Sequence, residues 1–203
     1  MKNATPSKAE TTLLTPFVGL PLEQIHLAET PQQLAAATAE IIAAGVVGFD
    51  TESKPTFVKG DVSAGPHVVQ FALQDKAFIF QLNNVGCRPF LVELLKSTSV
   101  LKVGFGLESD RRQIQAKLDV ALSAVLDLNS VFRKQGYRST AGVRAAVAIV
   151  LNQKFHKSKR ATTSNWALPK LSAQQLLYAA NDAYAALAVW RALNVGAESS
   201  LKP

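Results

Sequence analysis

Cysteine is nearly absent. Cys87 is the only one in 203 residues, so no internal disulfide can form and nothing calls for an oxidising compartment. Long apolar runs are missing too. The longest, such as 145–151, fall far short of the roughly 20 residues a membrane-spanning helix needs. The first 20 residues lack the apolar core of a signal peptide. These absences lead us to expect a soluble, cytoplasmic protein with no membrane partner. A third absence is local: from Leu128 to Asn181 there is no Asp or Glu. That stretch holds Arg133, Lys134, Arg138, Arg144, Lys154, Lys157, Lys159, Arg160 and Lys170. Those nine are drawn from 22 basic residues, leaving 13 against 15 acidic residues elsewhere, so the net charge of +7 belongs to one segment. A localised basic surface suits a polyanion, nucleic acid above all, although a charge run also serves as a solvated face.

What the chain does contain is an alternation of short apolar runs and helical patterns. At 48% apolar, its 203 residues suffice for one core. Residues 1–20, rich in Thr, Ser, Pro and Lys, are expected to form a mobile tail. A single domain over 21–195 and a C-terminal tail over 196–203 follow. Ile25–Ala28 reads as a strand, and Thr30-Pro31 as the N-cap and first residue of a helix ended by Gly45. Strands are expected at 46–52, 67–74 and 77–81, the last two joined by an Asp75-Lys76 hairpin turn. A helix over 89–97, a strand over 100–105 and a helix over 109–118 come next. Residues 127–151 read as two helical pieces broken near Gly136 and Gly142, followed by a basic loop over 152–170. Ser172-Ala-Gln-Gln175 is a capping box that opens a long helix to about residue 193. The order implies an α/β fold with a mixed central sheet flanked by helices.

The stretch GVVGFDTES, Gly45–Ser53, ends an apolar strand in two carboxylates. Alternate residues of a strand share a face, so Asp50 and Glu52 point the same way and repel unless a cation or proton intervenes. Asp110 opens the helix after the strand VLKVGF, where an acid also suits the helix dipole. Tyr178 and Asp182, four apart, share a face of the last helix. Four carboxylates on three elements, each placed to meet at one end of a sheet, suit Mg²⁺ or Mn²⁺ better than zinc. The three histidines and Cys87 form no zinc spacing.

Three segments together resemble the DEDD superfamily of 3′→5′ exonucleases, in the tyrosine-bearing subgroup (DEDDy) of RNase D and the Werner syndrome helicase exonuclease domain. They are Phe49-Asp50-Thr51-Glu52, Val103-Gly-Phe-Gly-Leu-Glu-Ser-Asp110 and Tyr178-Ala-Ala-Asn-Asp182. The second is closer to the Werner-type form. Ser164-Asn-Trp166 with Leu171-Ser172 and Gln175 is similar to the approach to the third motif. The resemblance spans roughly 25–193. It implies an RNase H-like fold and a hydrolase that releases nucleoside 5′-monophosphates from a DNA or RNA 3′ end, single-stranded or recessed. It also implies two divalent cations, Mg²⁺ or Mn²⁺. Asp50, Glu52 and Asp182 would hold one, Asp50 would share the second, and Asp110 would act on the second through water. Tyr178 would orient the attacking water, since a phenol with a pKa near 10 is a poor base at neutral pH.

Lys154, Lys157, Lys159 and Arg160, with His156 among them, are candidate phosphate contacts. Trp166 is a candidate for base stacking, though a tryptophan before an apolar, Pro-containing turn also serves as core. Phe57 is a weaker candidate, and Gln70 and Phe71 read as structural strand residues. Rival readings are an inactive nucleic-acid-binding module of the same fold and a two-carboxylate glycosidase. The intact acids oppose the first; the four-acid count and basic stretch oppose the second. Unwinding is expected to come from a helicase or repair partner. Oligomeric state is not legible.

Overall fold

A computed structural model describes residues 3–56, 63–137 and 142–199. Arg138 and Phe57, named above, lie outside the described residues. The strands are β1 (Thr15–Pro16), β2 (Ile25–Leu27), β3 (Val46–Glu52), β4 (Val68–Ala72), β5 (Ala77–Gln81), β6 (Leu101–Gly104), β7 (Val125–Asp127) and β8 (Gln153–Lys154). The helices are α1 (Lys8–Thr12), α2 (Pro31–Ala44), α3 (Arg88–Lys96), α4 (Glu108–Leu118), α5 (Leu128–Lys134), α6 (Val143–Leu151), α7 (Lys159–Thr162) and α8 (Ala173–Ser199). Six strands form the central sheet in the order β2-β5-β4-β3-β6-β7. The β3-β4-β5 meander is antiparallel, while β2, β6 and β7 pair parallel to their neighbours. Among the described residues, no helix is long and apolar enough to cross a membrane.

Local chemistry sets the element ends. Thr30 caps α2 through a reciprocal box with Gln33, Pro31 sits in the first turn, and Gly45 ends the helix at φ +68°. Ser172 and Gln175 make the same exchange before α8. One core lies between the sheet and α2, α3 and α4, built on Leu34, Ile41, Phe49, Phe71, Leu91 and Ile114. On the other face lies α8, whose Ala179, Ala180, Ala183 and Ala186 are buried. Small side chains let this helix settle onto the strands. The closest approach falls at Gly48, where a Cβ would come within 2.0 Å of the Ala183 carbonyl oxygen.

Two boundaries differ from the sequence expectation. The second half of the expected N-terminal tail packs on the domain. β1 pairs with β8, Leu20 is buried, and the Leu20 amide donates to Asn181 Oδ1 at 2.7 Å. Low hydrophobicity misled here because the segment is held by backbone hydrogen bonds and by Phe17, whose ring meets Phe155 and Tyr184. At the other end α8 runs on to Ser199, past the expected domain end at 195, since the Ala-rich sequence offers no proline to stop it. The basic loop also carries structure, β8 and the single turn α7.

Lys102, on β6, is fully buried, and its Nζ donates to the carbonyls of Leu94, Ser97 and Val100 at 2.9–3.0 Å. It satisfies the open carbonyl end of α3, although burial pulls its pKa down to about 8. Lys102→Met should lower unfolding free energy by about 2–3 kcal/mol, because three buried acceptors lose their donor. Urea denaturation checks this, and an unchanged midpoint would contradict the role.

Candidate metal centre

β3 delivers Asp50 and Glu52 to the α8 face of the sheet, and the contact at Gly48 brings α8 down beside them. Oxygens of Asp50, Glu52 and Asp182 lie within 4.8 Å of one another. Asp110 stands close but outside this triplet. The Thr51 hydroxyl donates to its Oδ1, and the Ser109 hydroxyl to its Oδ2 at 3.3 Å. The turn that places Asp110 is held by Asp127, whose carboxylate accepts from the Gly106, Leu107 and Asn129 amides. Gly106 sits there at φ +72°. The structure therefore brings together all four acids expected from the sequence, with three converging on one point.

These carboxylates carry raised pKa values. Burial acts first on Asp50, followed by repulsion from Asp110 and Asp182. Glu52 is pushed up to about 10, by burial and then by Asp50 and Asp182. Asp110 and Asp182 are raised mainly by burial, against hydrogen bonds from Thr51 and Ser109 in the one and the Lys157 charge in the other. The donor set fits a hard divalent cation. It consists of carboxylate oxygens alone, and Asp182 Oδ1 is buried with no hydrogen bond among the described residues. Asp50, Glu52 and Asp182 would hold such an ion.

Tyr178 precedes Asp182 by one turn, and its hydroxyl shares a 2.9 Å hydrogen bond with Thr162 Oγ1. Burial and the Asp182 charge raise its pKa above the ordinary phenol value. The ring packs at 5.9 Å from Trp166. Trp166 is 1% exposed, so it forms a wall behind Tyr178 and is not available to stack on a base. Its apolar body fills the space between α8 and the sheet, which outweighs any gain from a surface ring.

The basic residues separate into distinct places. Lys157 Nζ lies 2.7 Å from Asp182 Oδ2 and 5.6 Å from the Tyr178 ring centroid, inside the acidic cluster. Burial works to lower its pKa, yet Asp182 and Asp50 hold it above the usual lysine range. Lys159 and Arg160 are exposed on α7, and Lys154 is half-buried in β8. Arg144 Nη2 donates to the Lys157 carbonyl at 2.8 Å and anchors this loop. Sequence reasoning did not single out Thr51, Asp127, Thr162 or Arg144 as positioning residues, because the bonds that tie them to Asp110, Gly106, Tyr178 and Lys157 each span at least 13 positions. The sequence places Gln70 as a structural strand residue. It is fully buried in register with Asp50 on the adjacent strand, and its amide has no hydrogen bond among the described residues.

A mixed six-stranded sheet with acids gathered where a crossing helix meets a central strand defines the RNase H-like exonuclease fold. The crystal structure of the Aedes aegypti Nibbler EXO domain matches with a TM-score of 0.73 at 23% identity, over 90% of this chain and 92% of that one. Trypanosoma brucei RNase D in complex with RNA U12 matches with a TM-score of 0.73 at 19% identity, over 83% of this chain and 62% of that one. A 3′-5′ exonuclease family profile covers residues 25–196. The mouse bifunctional 3′-5′ exonuclease/ATP-dependent helicase WRN is 32% identical over 154 residues, which is 74% of this chain but 11% of that protein's length. This chain belongs to the 3′-5′ exonuclease family, in its DEDDy branch.

The raised carboxyl values fix the sign of a pH effect. In the folded protein these acids keep protons that the unfolded chain releases above about pH 4. Their contribution to stability is therefore complete in acid and is lost as pH rises toward the Glu52 value of about 10. In EDTA, Tm should fall between about pH 6 and about pH 9. Mg²⁺ or Mn²⁺ at about 100 times its Kd should restore roughly 2.7 kcal/mol, most visibly at the alkaline end. Thermal melts check both, and a Tm that climbs with pH in EDTA contradicts the assignment.

Proposed function

We propose that this chain is a metal-dependent exonuclease that removes nucleotides from the 3′ end of nucleic acid and releases nucleoside 5′-monophosphates. The observation that carries the reading is the convergence of Asp50, Glu52 and Asp182 oxygens beside the Tyr178 hydroxyl. Divalent cations, when bound, supply Lewis acidity to the attacking water and offset charge on the leaving 3′-oxygen. Asp50, Glu52 and Asp182 would hold the ion that this chemistry needs, and Asp110, fixed by Thr51, would act from the side. Tyr178 remains a neutral phenol at working pH, so its hydroxyl orients water and does not abstract the proton. Water oxygen attacks phosphorus, the P–O3′ bond breaks, and the departing 3′-oxygen takes up a proton. Lys157 balances the acids in the free protein, and its amine, beside Asp182, is placed to meet a phosphate oxygen of a bound strand. Lys159 and Arg160 meet phosphates further along the strand. The mouse relative's name couples exonuclease to helicase, which supports a helicase as a source of unwound 3′ ends. The T. brucei RNase D complex supports RNA among the substrates.

The test is a 5′-labelled oligonucleotide series, single-stranded DNA, single-stranded RNA and a recessed 3′ duplex, with Mg²⁺, Mn²⁺ or EDTA. A metal-dependent descending ladder is expected, and its fastest substrate identifies the nucleic acid. Asp50→Ala and Asp182→Ala should abolish the ladder, while Tyr178→Phe should slow it by roughly 10²–10⁴. A ladder at wild-type rate from Asp182→Ala would falsify the mechanism. Separately, Lys159→Ala with Arg160→Ala should flatten the salt dependence of single-strand binding by about 0.7 in log–log slope per lost contact. An unchanged slope would remove these two residues from the interface.

A further inference from the structure

The N-terminal strap, residues 15–20, walls a cavity beside Tyr178 and Asp182, with Phe17 and Gly19 in its lining. That cavity belongs to the site already described. A different feature lies within the sheet itself. Gln70 sits in the middle of β4, is fully buried, and has no hydrogen bond at either atom of its amide among the described residues. Apolar side chains surround it on that face: Val68 and Ala72 two positions to either side, and Ile79 opposite on β5. A leucine or methionine there would pack without stranding a donor and an acceptor. A buried amide kept without partners calls for an explanation, and a catalytic role is one of the few available.

The explanation lies across the strand pair. β3 and β4 set Asp50 opposite Gln70, two positions from the Gly48–Ala72 pair where α8 comes down. Gly48 meets Ala183, and Ala72 lies in the cluster that holds Ala183, so Asp50 and Gln70 share the α8 face. Residues paired in this way hold their Cβ atoms about 5 Å apart, and the longer glutamine side chain reaches the aspartate carboxylate. Asp50 has room for such a donor. Among the described residues its carboxylate accepts one hydrogen bond, from the adjacent Thr51 amide to Oδ1 at 2.9 Å. Asp110 is held by two hydroxyls and Asp182 by Lys157, which leaves Asp50 the least anchored of the three. We propose that Gln70 is the positioning residue of Asp50: rotation about its terminal torsions brings Nε2 to the Asp50 carboxylate, and that bond fixes the oxygen offered to a divalent cation. The proposal rests on the exonuclease reading and deepens it by naming what orients this ligand. Gln70 Oε1 then remains to accept, and the Trp166 indole N–H, buried in the same cluster, has no acceptor among the described residues.

The test compares the full chain with Gln70→Met and Gln70→Leu, which keep apolar bulk in the strand and remove the amide. Free Mn²⁺ is counted by electron paramagnetic resonance to give its Kd, and Tm is measured in EDTA. Turnover of a labelled oligonucleotide at saturating Mn²⁺ is resolved into kcat and KM. Both variants should melt at least as high as wild type, because neither loses a hydrogen bond that the described structure makes. Their Kd for Mn²⁺ should rise roughly 10-fold to 100-fold, the usual effect of losing the partner that orients a metal ligand. Turnover should show a lower kcat with the oligonucleotide KM unchanged. A purely structural glutamine would give the reverse, a lower Tm with Mn²⁺ affinity kept. The proposal stands only if affinity falls in a variant that melts as high as wild type. Wild-type affinity in both variants, or a lower Tm in both, overturns it. A wild-type ladder alongside unchanged Mn²⁺ binding in the variants keeps the enzyme and removes the role of Gln70. Wild type that binds no Mn²⁺ and yields no ladder sinks the exonuclease reading, and the role of Gln70 with it.

Discussion

The backbone contact between Gly48 and Ala183 governs the rest of the site. It lets α8 rest directly on β3, and it sets Asp182 beside two carboxylates that the strand has already placed on one face. Any side chain at residue 48 would lift the helix and separate the acids. The alanine surface of α8 serves the same end, because a helix lined by larger residues would ride higher on the sheet. Packing on this face is thus shaped by the distance the carboxylates must keep.

That distance carries an electrostatic cost. Burial raises the pKa of all four acids, repulsion between the acids adds to it at Asp50 and Glu52, and Lys157 is the counter-charge paired with Asp182 in the free protein. The same carboxylate oxygens fit a divalent cation, whose charge would relieve that repulsion. Thr51 holds Asp110 by a direct hydrogen bond, and Asp127 holds the turn that presents it.

Much of this was legible residue by residue. Period-two alternation put Asp50 and Glu52 on one face, and four-residue spacing put Tyr178 beside Asp182, because both follow from fixed backbone geometry. Caps at Thr30 and Ser172 and the stop at Gly45 were equally local. Trp166 shows where such reading fails: its burial depends on a space between α8 and the sheet that no local pattern reports. The strap shows it again, since Thr15–Pro16 pairs with a strand more than 130 residues away and holds it through backbone groups common to every residue.

Sequence by itself determined the identity of the four acids and the tyrosine, the faces they share, the mixed α/β class and the position of the excess positive charge. Each depends on short-range geometry or on composition. Only the tertiary structure decided that Lys157 turns inward to Asp182 while Lys159 and Arg160 stay outside, and that residues 15–20 wall a cavity beside Tyr178. Those outcomes are set by which distant surfaces meet, and a side chain's partner across the fold leaves no periodic trace in the chain that carries it.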